Sequence, residues 1–164
     1  MLCRRTRSQP TVTTSGYLFL SPEWVREVAS AVQVAQRRDG YFRKLASAFT
    51  MKFACLVRSL PSGLRERYGA GDTVVIVVHL RKGSAEKVDV GGELPPHRVN
   101  LIVESDYDLA KRIVLGQASA AGSFLSGKVR VRPVDGRPRP SAISTSLVTA
   151  SEVVKIARQV PTTF

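Results

Sequence analysis

The sequence contains few of the residues on which disulfide frameworks and metal sites are built. It has two cysteines, Cys3 and Cys55, and two histidines, His79 and His97, in 164 residues. No Cys-x-x-Cys pair occurs, and neither histidine stands at ligand spacing from a cysteine. We therefore expect no disulfide and no metal site, and an ordinary structural position for each histidine.

Long apolar runs are also missing. The longest, Val74–Val78, has five residues, whereas a helix that spans a bilayer needs about 20. Residues 1–15 are polar and Arg-rich and lack the apolar stretch of a secretory signal. These absences favour a cytoplasmic protein.

Motifs of nucleotide binding and of nucleophilic catalysis do not occur. There is no Gly-x-Ser-x-Gly elbow and no Gly-Lys-Ser/Thr sequence. The glycines of 69–71 precede a predicted strand, whereas a dinucleotide-binding motif follows one, so they indicate a turn. The acids Glu104, Asp106 and Asp108 could hold a cation, but no further acids follow at calcium-loop spacing. Asp106 as a helix cap and Asp108 as a first-turn residue facing the helix dipole explain the pattern better. We expect no catalytic residue, no metal and no cofactor.

Positive charge is what the sequence has in excess. The net charge is +12, and it is concentrated in the tail, residues 1–16, and in Lys128–Arg139. A field of this size attracts nucleic acid, anionic membranes or acidic ligands, although basic residues also serve solubility. In 128–132 they alternate with valine, which is equally typical of an edge strand protected against aggregation.

The apolar periodicity predicts elements in the order α, α, β, β, β, β, α, α, β, α. The predicted helices cover about 22–38, 41–48, 107–115, 118–125 and 149–159, and the strands 51–58, 73–80, 86–90, 98–104 and 128–132. Strands joined by short turns pair antiparallel, and the segregated helices cover one face, so the fold class is α+β. We expect a disordered tail at 1–16, one domain at 17–164, and a Pro- and Arg-rich loop at 133–140.

One predicted helix has little bulk. Its residues 118–123 are alanine, serine and glycine, and Phe124 and Leu125 follow them. Such a helix does not fill the space above a sheet, although protein interiors rarely leave large voids. Plain core packing explains each apolar residue singly. Together they favour an apolar cavity, which is a natural site for an acyl chain or a sterol.

Several stretches resemble the sterol carrier protein family of lipid-binding domains. They are Phe19–Trp24 with Tyr41–Arg43, Tyr68–Val74, and Tyr107–Gly116 followed by Phe124–Val131. The resemblance covers about residues 17–133 and rests on hydrophobic and glycine patterns. It implies a five-stranded antiparallel sheet covered by helices, with an apolar tunnel between them. It also implies non-enzymatic carriage of a fatty acid, an acyl-CoA or a sterol-like lipid.

Transferred position by position, the resemblance implies ten residues that line the tunnel. They are Phe49, Phe53, Val57, Val75, Val77, Leu101, Val103, Leu115, Phe124 and Leu125. The implied partners are a lipid and, through the basic strand, an anionic membrane surface. Two alternatives remain open at this point: a basic nucleic-acid-binding protein, and an interaction or accessory domain that uses the same fold.

Overall fold

The computed structural model describes residues 16–69, 71–93, 99–134 and 140–164, with the side chains of 140–146 also outside the description. The predicted tail at 1–16, His97 and most of the Pro- and Arg-rich loop therefore lie outside the described residues, and those predictions stay predictions. The elements are β1 (Tyr17–Leu18), α1 (Pro22–Arg38), α2 (Gly40–Ser47), β2 (Met51–Arg58), α3 (Ser62–Arg65), a 3₁₀ turn (Glu66–Tyr68), β3 (Thr73–Arg81), β4 (Ser84–Gly91), β5 (Leu101–Asp106), α4 (Tyr107–Val114), α5 (Ala120–Leu125), β6 (Arg130–Pro133), α6 (Pro140–Ala157) and β7 (Thr162–Thr163).

The first two helices begin where their capping residues predict. The Ser21 hydroxyl accepts a hydrogen bond from the Trp24 N–H at 3.1 Å, and Pro22 occupies the first turn of α1. The Asp39 carboxylate accepts from the N–H groups of Tyr41 and Phe42 at 2.9 and 3.1 Å. Asp39 therefore ends α1 and caps α2 at once.

The α+β class and the five-stranded sheet are confirmed, with one correction. The strand order is β4-β3-β2-β5-β6, and the β2–β5 pair is parallel, so the sheet is mixed and not wholly antiparallel. The hairpin between β3 and β4 turns through Lys82 and Gly83, both at positive φ, as a two-residue hairpin turn requires. The longer connection from β4 instead leads to the far side of β2, where β5 runs parallel to it.

The last helix starts earlier than predicted, at Pro140 instead of near Thr149. Its first half is rich in serine and threonine, which compete with helical hydrogen bonds through their own hydroxyls. The sequence pattern therefore missed this half. Because α6 packs mainly against α1, α2, α4 and α5, tertiary contacts override the weak local propensity. None of the helices in the described ranges combines the length and the hydrophobicity that crossing a bilayer would require.

A cluster of aromatic rings joins the two ends of the described chain. Phe19 is 1% exposed, and its ring lies 4.9 Å from Trp24, 5.6 Å from Tyr107 and 5.1 Å from Phe164 between centroids. The Trp24 indole donates to the Thr162 hydroxyl at 2.9 Å. The parallel pair β1–β7 holds the backbone around them. We call this group, with the buried residues packed on it, the Phe19 cluster.

Replacing Phe19 by alanine is expected to destabilise the protein by about 3–5 kcal/mol, because the cavity left beneath three rings cannot close. The matched control is Tyr41→Ala, since Tyr41 is an aromatic residue with 66% exposure. It should change the free energy of unfolding by less than about 0.5 kcal/mol. Urea unfolding at neutral pH measures both. Equal losses in the free energy of unfolding for the two variants would show that Phe19 contributes no more to stability than an exposed aromatic residue.

Candidate functional site

The register of the sheet divides its side chains between two faces. Successive residues of a strand alternate, so Phe53 and Cys55 of β2 lie on one face and Ala54 and Leu56 on the other. We call the face of Phe53 and Cys55 the inner face, because the Phe19 cluster packs α1, α4 and α6 against it at Val57. The opposite face is the outer face.

Five neighbouring apolar residues of the inner face are only partly buried. We call them the inner strip: Phe53, Cys55, Val78, Leu101 and Val103. Phe53 lies opposite Val78 on one side and Leu101 on the other, and Cys55 lies opposite Val103. All five are partly exposed, and none belongs to a buried cluster. The strand β2 is the central one of the sheet, and these five side chains are less completely buried than Ala54, Val75 and Val77 of the outer face.

The other end of the same face is closed. Val57 and Val74 are paired across β2 and β3, and they are 5% and 0% exposed within the Phe19 cluster. Along the inner face of β2, Val57 is therefore buried, whereas Cys55 and Phe53 are partly exposed.

The helix α5 has little bulk. The Ser119 hydroxyl accepts from the Gly122 N–H at 3.1 Å and starts α5, whose first four residues are alanine, glycine and serine. Ser123 is buried, and Phe124 is the large side chain of α5 that is partly buried. The packing of α6 is mainly against other helices, α5 among them, and not against the sheet. The small-residue helix is thus confirmed as an element.

Cys55 is the thiol of the inner strip. Burial raises its pKa to about 12. The thiol therefore stays protonated and unreactive at neutral pH. Cys55 was not among the predicted lining residues, although the alternation of β2 already placed it beside Phe53.

The structure brings together only part of the predicted lining. Phe53, Leu101 and Val103 belong to the inner strip. Val57 shares their face but is packed into the Phe19 cluster. Phe124 is partly buried on α5, and Phe49, just before β2, is 8% exposed.

Four predicted lining residues are placed elsewhere. Val75 and Val77 lie opposite Leu56 and Ala54, on the outer face, where they are buried in a second cluster. Val78 takes their place on the inner strip. Leu115 and Leu125 are 45% and 79% exposed. Both stand at the last turns of short helices, where an apolar residue faces water without disturbing the pattern that precedes it.

The outer face carries a buried acid held by arginines. Glu104 is 8% exposed, and its carboxylate accepts from Arg132 Nε at 3.1 Å, from a second Arg132 nitrogen, and from Arg58 at 3.4 Å. The hydrogen bonds from Arg132 lower the pKa of Glu104 against the opposing effect of desolvation, and the nearby arginine charges add to the lowering. The Glu104 carboxylate is thus engaged by arginines of two strands.

The structure changes the predicted role of Asp106 and keeps Asp108 in the first turn of α4. Asp106 stands at the N-cap position of α4, but its side chain accepts no capping hydrogen bond. The described residues hold no group of three or more His, Cys, Asp or Glu side chains that could bind a metal. On β6, Arg132 is engaged by Glu104, while Val131 lies opposite Val103 on the inner face.

Glu104→Gln should lower the free energy of unfolding by about 1–2 kcal/mol at pH 7, since one charged hydrogen-bond acceptor is lost and its arginines are half exposed. The folded-state pKa is lowered, so the stabilisation is present above about 4.3, the pKa of glutamate in an unfolded chain. It disappears as the pH falls through the lower folded-state value.

Urea midpoints of wild type and variant at pH 7 and pH 3 measure this difference. Glu27→Gln is the control, because Glu27 is exposed and forms no ion pair among the described residues. A Glu104→Gln effect of the same size at both pH values would exclude the ion pair as its cause.

Solved structures of sterol carrier proteins have the same arrangement of helices and sheet. A conserved hypothetical protein of Thermus thermophilus, for which sterol carrier protein is given as a possible identity, is 18% identical with a TM-score of 0.67, and the match covers 91% of this chain and 96% of that one. A structure of sterol carrier protein 2 is 19% identical with a TM-score of 0.64, covering 87% and 98%. The chain has the sterol carrier protein fold.

A third structure, the sterol carrier protein domain 2 of Helicoverpa armigera, is 15% identical with a TM-score of 0.50 and covers 84% of this chain and 92% of that one. No family model matches the sequence, and no curated protein matches it significantly. The sterol carrier protein fold is therefore established by comparison of backbone structures and not by sequence matches. The resemblance seen in the sequence motifs is confirmed at that level.

Proposed function

We propose that the protein binds and carries an apolar lipid in the space between the inner strip and the helices. The observation that supports this function is the inner strip itself, five apolar side chains left partly accessible at the middle of a sheet. A ligand that covers them gains about 0.8 kcal/mol for each CH₂ group it buries. The fold likeness to sterol carrier protein 2 agrees with this use of the space.

A fatty acid, the acyl chain of an acyl-CoA, or a sterol-like molecule fits this description. The inner strip spans three neighbouring strands, β3, β2 and β5, which corresponds to roughly 10 Å across the sheet. That width suits a single acyl chain or a flat ring system. The apolar surroundings of Cys55 provide no group to pair with a charge, so a polar headgroup would remain at the mouth of the space.

The proposed binding involves no covalent step. Cys55 is the one nucleophile of the inner strip, and burial raises its pKa to about 12. At neutral pH the thiolate is scarce, and a protonated thiol is a poor nucleophile. Its role here is that of a small apolar lining residue.

A bulky side chain added to the inner strip should weaken lipid binding, whereas the same side chain added elsewhere should not. Cys55→Phe and Val78→Phe each add an aromatic ring to the inner strip, and Leu125→Phe adds one at a position that is 79% exposed. We expect the first two to weaken binding of palmitate, palmitoyl-CoA or cholesterol by more than tenfold, because excluding about two CH₂ groups from the space already has an effect of that size. The control should bind as wild type does.

Native mass spectrometry of the purified protein, followed by organic extraction and titration with these three probes, measures the effect. Circular dichroism establishes that each variant is folded, and a folded Val78→Phe suffices if Cys55→Phe is not. Absence of any bound probe in the wild-type protein contradicts lipid carriage. Undiminished binding by folded inner-strip variants would place the ligand elsewhere.

A further inference from the structure

A pocket of about 310 Å³ lies where α1, α2 and the β3–β4 hairpin meet. Its charged and polar lining consists of Arg37, Arg43 and Lys82 together with Gln33, Gln36 and Ser84. The volume corresponds to roughly ten water molecules. We call it the basic pocket, and it is separate from the inner strip, none of whose residues line it.

The walls of the basic pocket are fixed by hydrogen bonds. The Gln36 amide donates to the Gly83 carbonyl at 2.8 Å, and the Gln33 amide donates to the Ala85 carbonyl at 3.2 Å. The Gly83 N–H donates to the Phe49 carbonyl at 2.8 Å. These bonds tie α1 and the segment before β2 to the hairpin, so the two glutamines and the hairpin backbone are held in place before any ligand arrives.

Gly83 permits the close approach of the β3–β4 hairpin to α2. It has a φ of +80°, and a Cβ at this position would lie 2.4 Å from the carbonyl carbon and oxygen of Ala46. Ala46 is itself 3% exposed and lines the floor of the pocket. The hairpin tip is therefore seated directly on α2, and Lys82 is carried to the same place as Arg43.

Three positively charged residues, all of them exposed, line the basic pocket. None of Arg37, Arg43 and Lys82 forms an ion pair with a carboxylate in the part of the chain that the structure describes. Arg37 complements the end of the α1 dipole, but this does not account for Arg43 and Lys82, which come from two other elements. Like charges that converge this way repel each other unless an anion lies between them.

A second surface pocket shows the contrast. It is lined by Lys155 and Arg158 beside the loop between α4 and α5. Lys155 is paired with Glu152 at 2.6 Å, and Arg158 donates to the Ile113 carbonyl at 2.9 Å. Those cations are already engaged, whereas those of the basic pocket are available to hold a ligand.

We propose that the basic pocket binds a phosphate group. Two guanidinium groups and one ammonium group match the several oxygens of a phosphate, and the arginine fork does so with two hydrogen bonds at once. The Ser84 hydroxyl is a further donor on the wall. Lys82 follows the end of β3 by one residue, four positions beyond Val78 of the inner strip, which is about 13 Å along an extended strand. The phosphate belongs either to a soluble molecule or to the headgroup of a single-chain lipid, and only the second case rests on the proposed lipid binding.

Two double variants with the same change of charge test the site. Arg37→Gln with Arg43→Gln removes two pocket cations, and Arg38→Gln with Lys44→Gln removes the next residues on the same helices, which are also exposed but do not line the pocket. Isothermal titration calorimetry with inorganic pyrophosphate and with palmitoyl lysophosphatidic acid measures phosphate binding. Palmitate serves as the ligand without a phosphate.

The first double variant should bind the phosphate probe about ten- to a hundredfold more weakly than wild type, and the second should lose less than about threefold. If the first double variant loses binding of pyrophosphate, the site belongs to a soluble phosphate compound. If it loses binding of the lysophosphatidic acid only, the site belongs to a lipid headgroup. Palmitate binding should be equal in all three proteins. If palmitate alone fails to bind, lipid carriage is contradicted and the proposal for the basic pocket is unaffected. The proposal is overturned if neither phosphate probe binds wild type, or if the two double variants behave alike.

Discussion

The packing of Phe19 against Trp24, Tyr107 and Phe164 is the interaction on which the rest of the structure depends. It joins the start of the first helix, the start of α4 and the end of the chain over the closed end of the inner face. A domain of this kind needs a tightly packed region somewhere, since large voids cost stability. Because that region lies at one end of the inner face, it joins the helices to the sheet without including the inner strip.

The two faces of the sheet differ in burial. On the outer face, Ala54, Val75 and Val77 are 0–3% exposed, and Glu104, the buried polar group of that face, is satisfied by arginines. The inner strip has equally apolar residues in the same three central strands, and yet it stays partly exposed. The difference therefore does not arise from the composition of the strands.

Much of the fold follows from local sequence signals. Ser21 and Pro22 mark the start of α1, Lys82 and Gly83 form the hairpin, and the alternation of β2 separates its two faces correctly. Each of these features is decided by residues close in sequence. The same is true of the small residues that begin α5.

The remaining features depend on distant contacts, which a single sequence does not encode locally. The run Val74–Val78 is apolar on both faces, so period two cannot tell whether Val77 or Val78 shares the face of Phe53, and the sequence prediction named Val75 and Val77, which lie on the outer face. The parallel β2–β5 pair follows from where a long connection returns. The basic pocket joins Arg37, Arg43 and Lys82 from three separate parts of the chain, and no spacing in the sequence points to it.

The central claim is that the ligand lies on the inner strip and not on the outer face. Neighbouring residues test it, because Val78 and Val103 lie on the inner strip while Val77 and Ile102 lie on the outer face. The measurement is intermolecular nuclear Overhauser effects between ¹³C-labelled palmitate and the methyl groups of the protein. We predict contacts from the palmitate chain to Val78 and Val103 and none to Val77 and Ile102. Contacts to the outer-face pair, or none to the inner pair, would contradict the account.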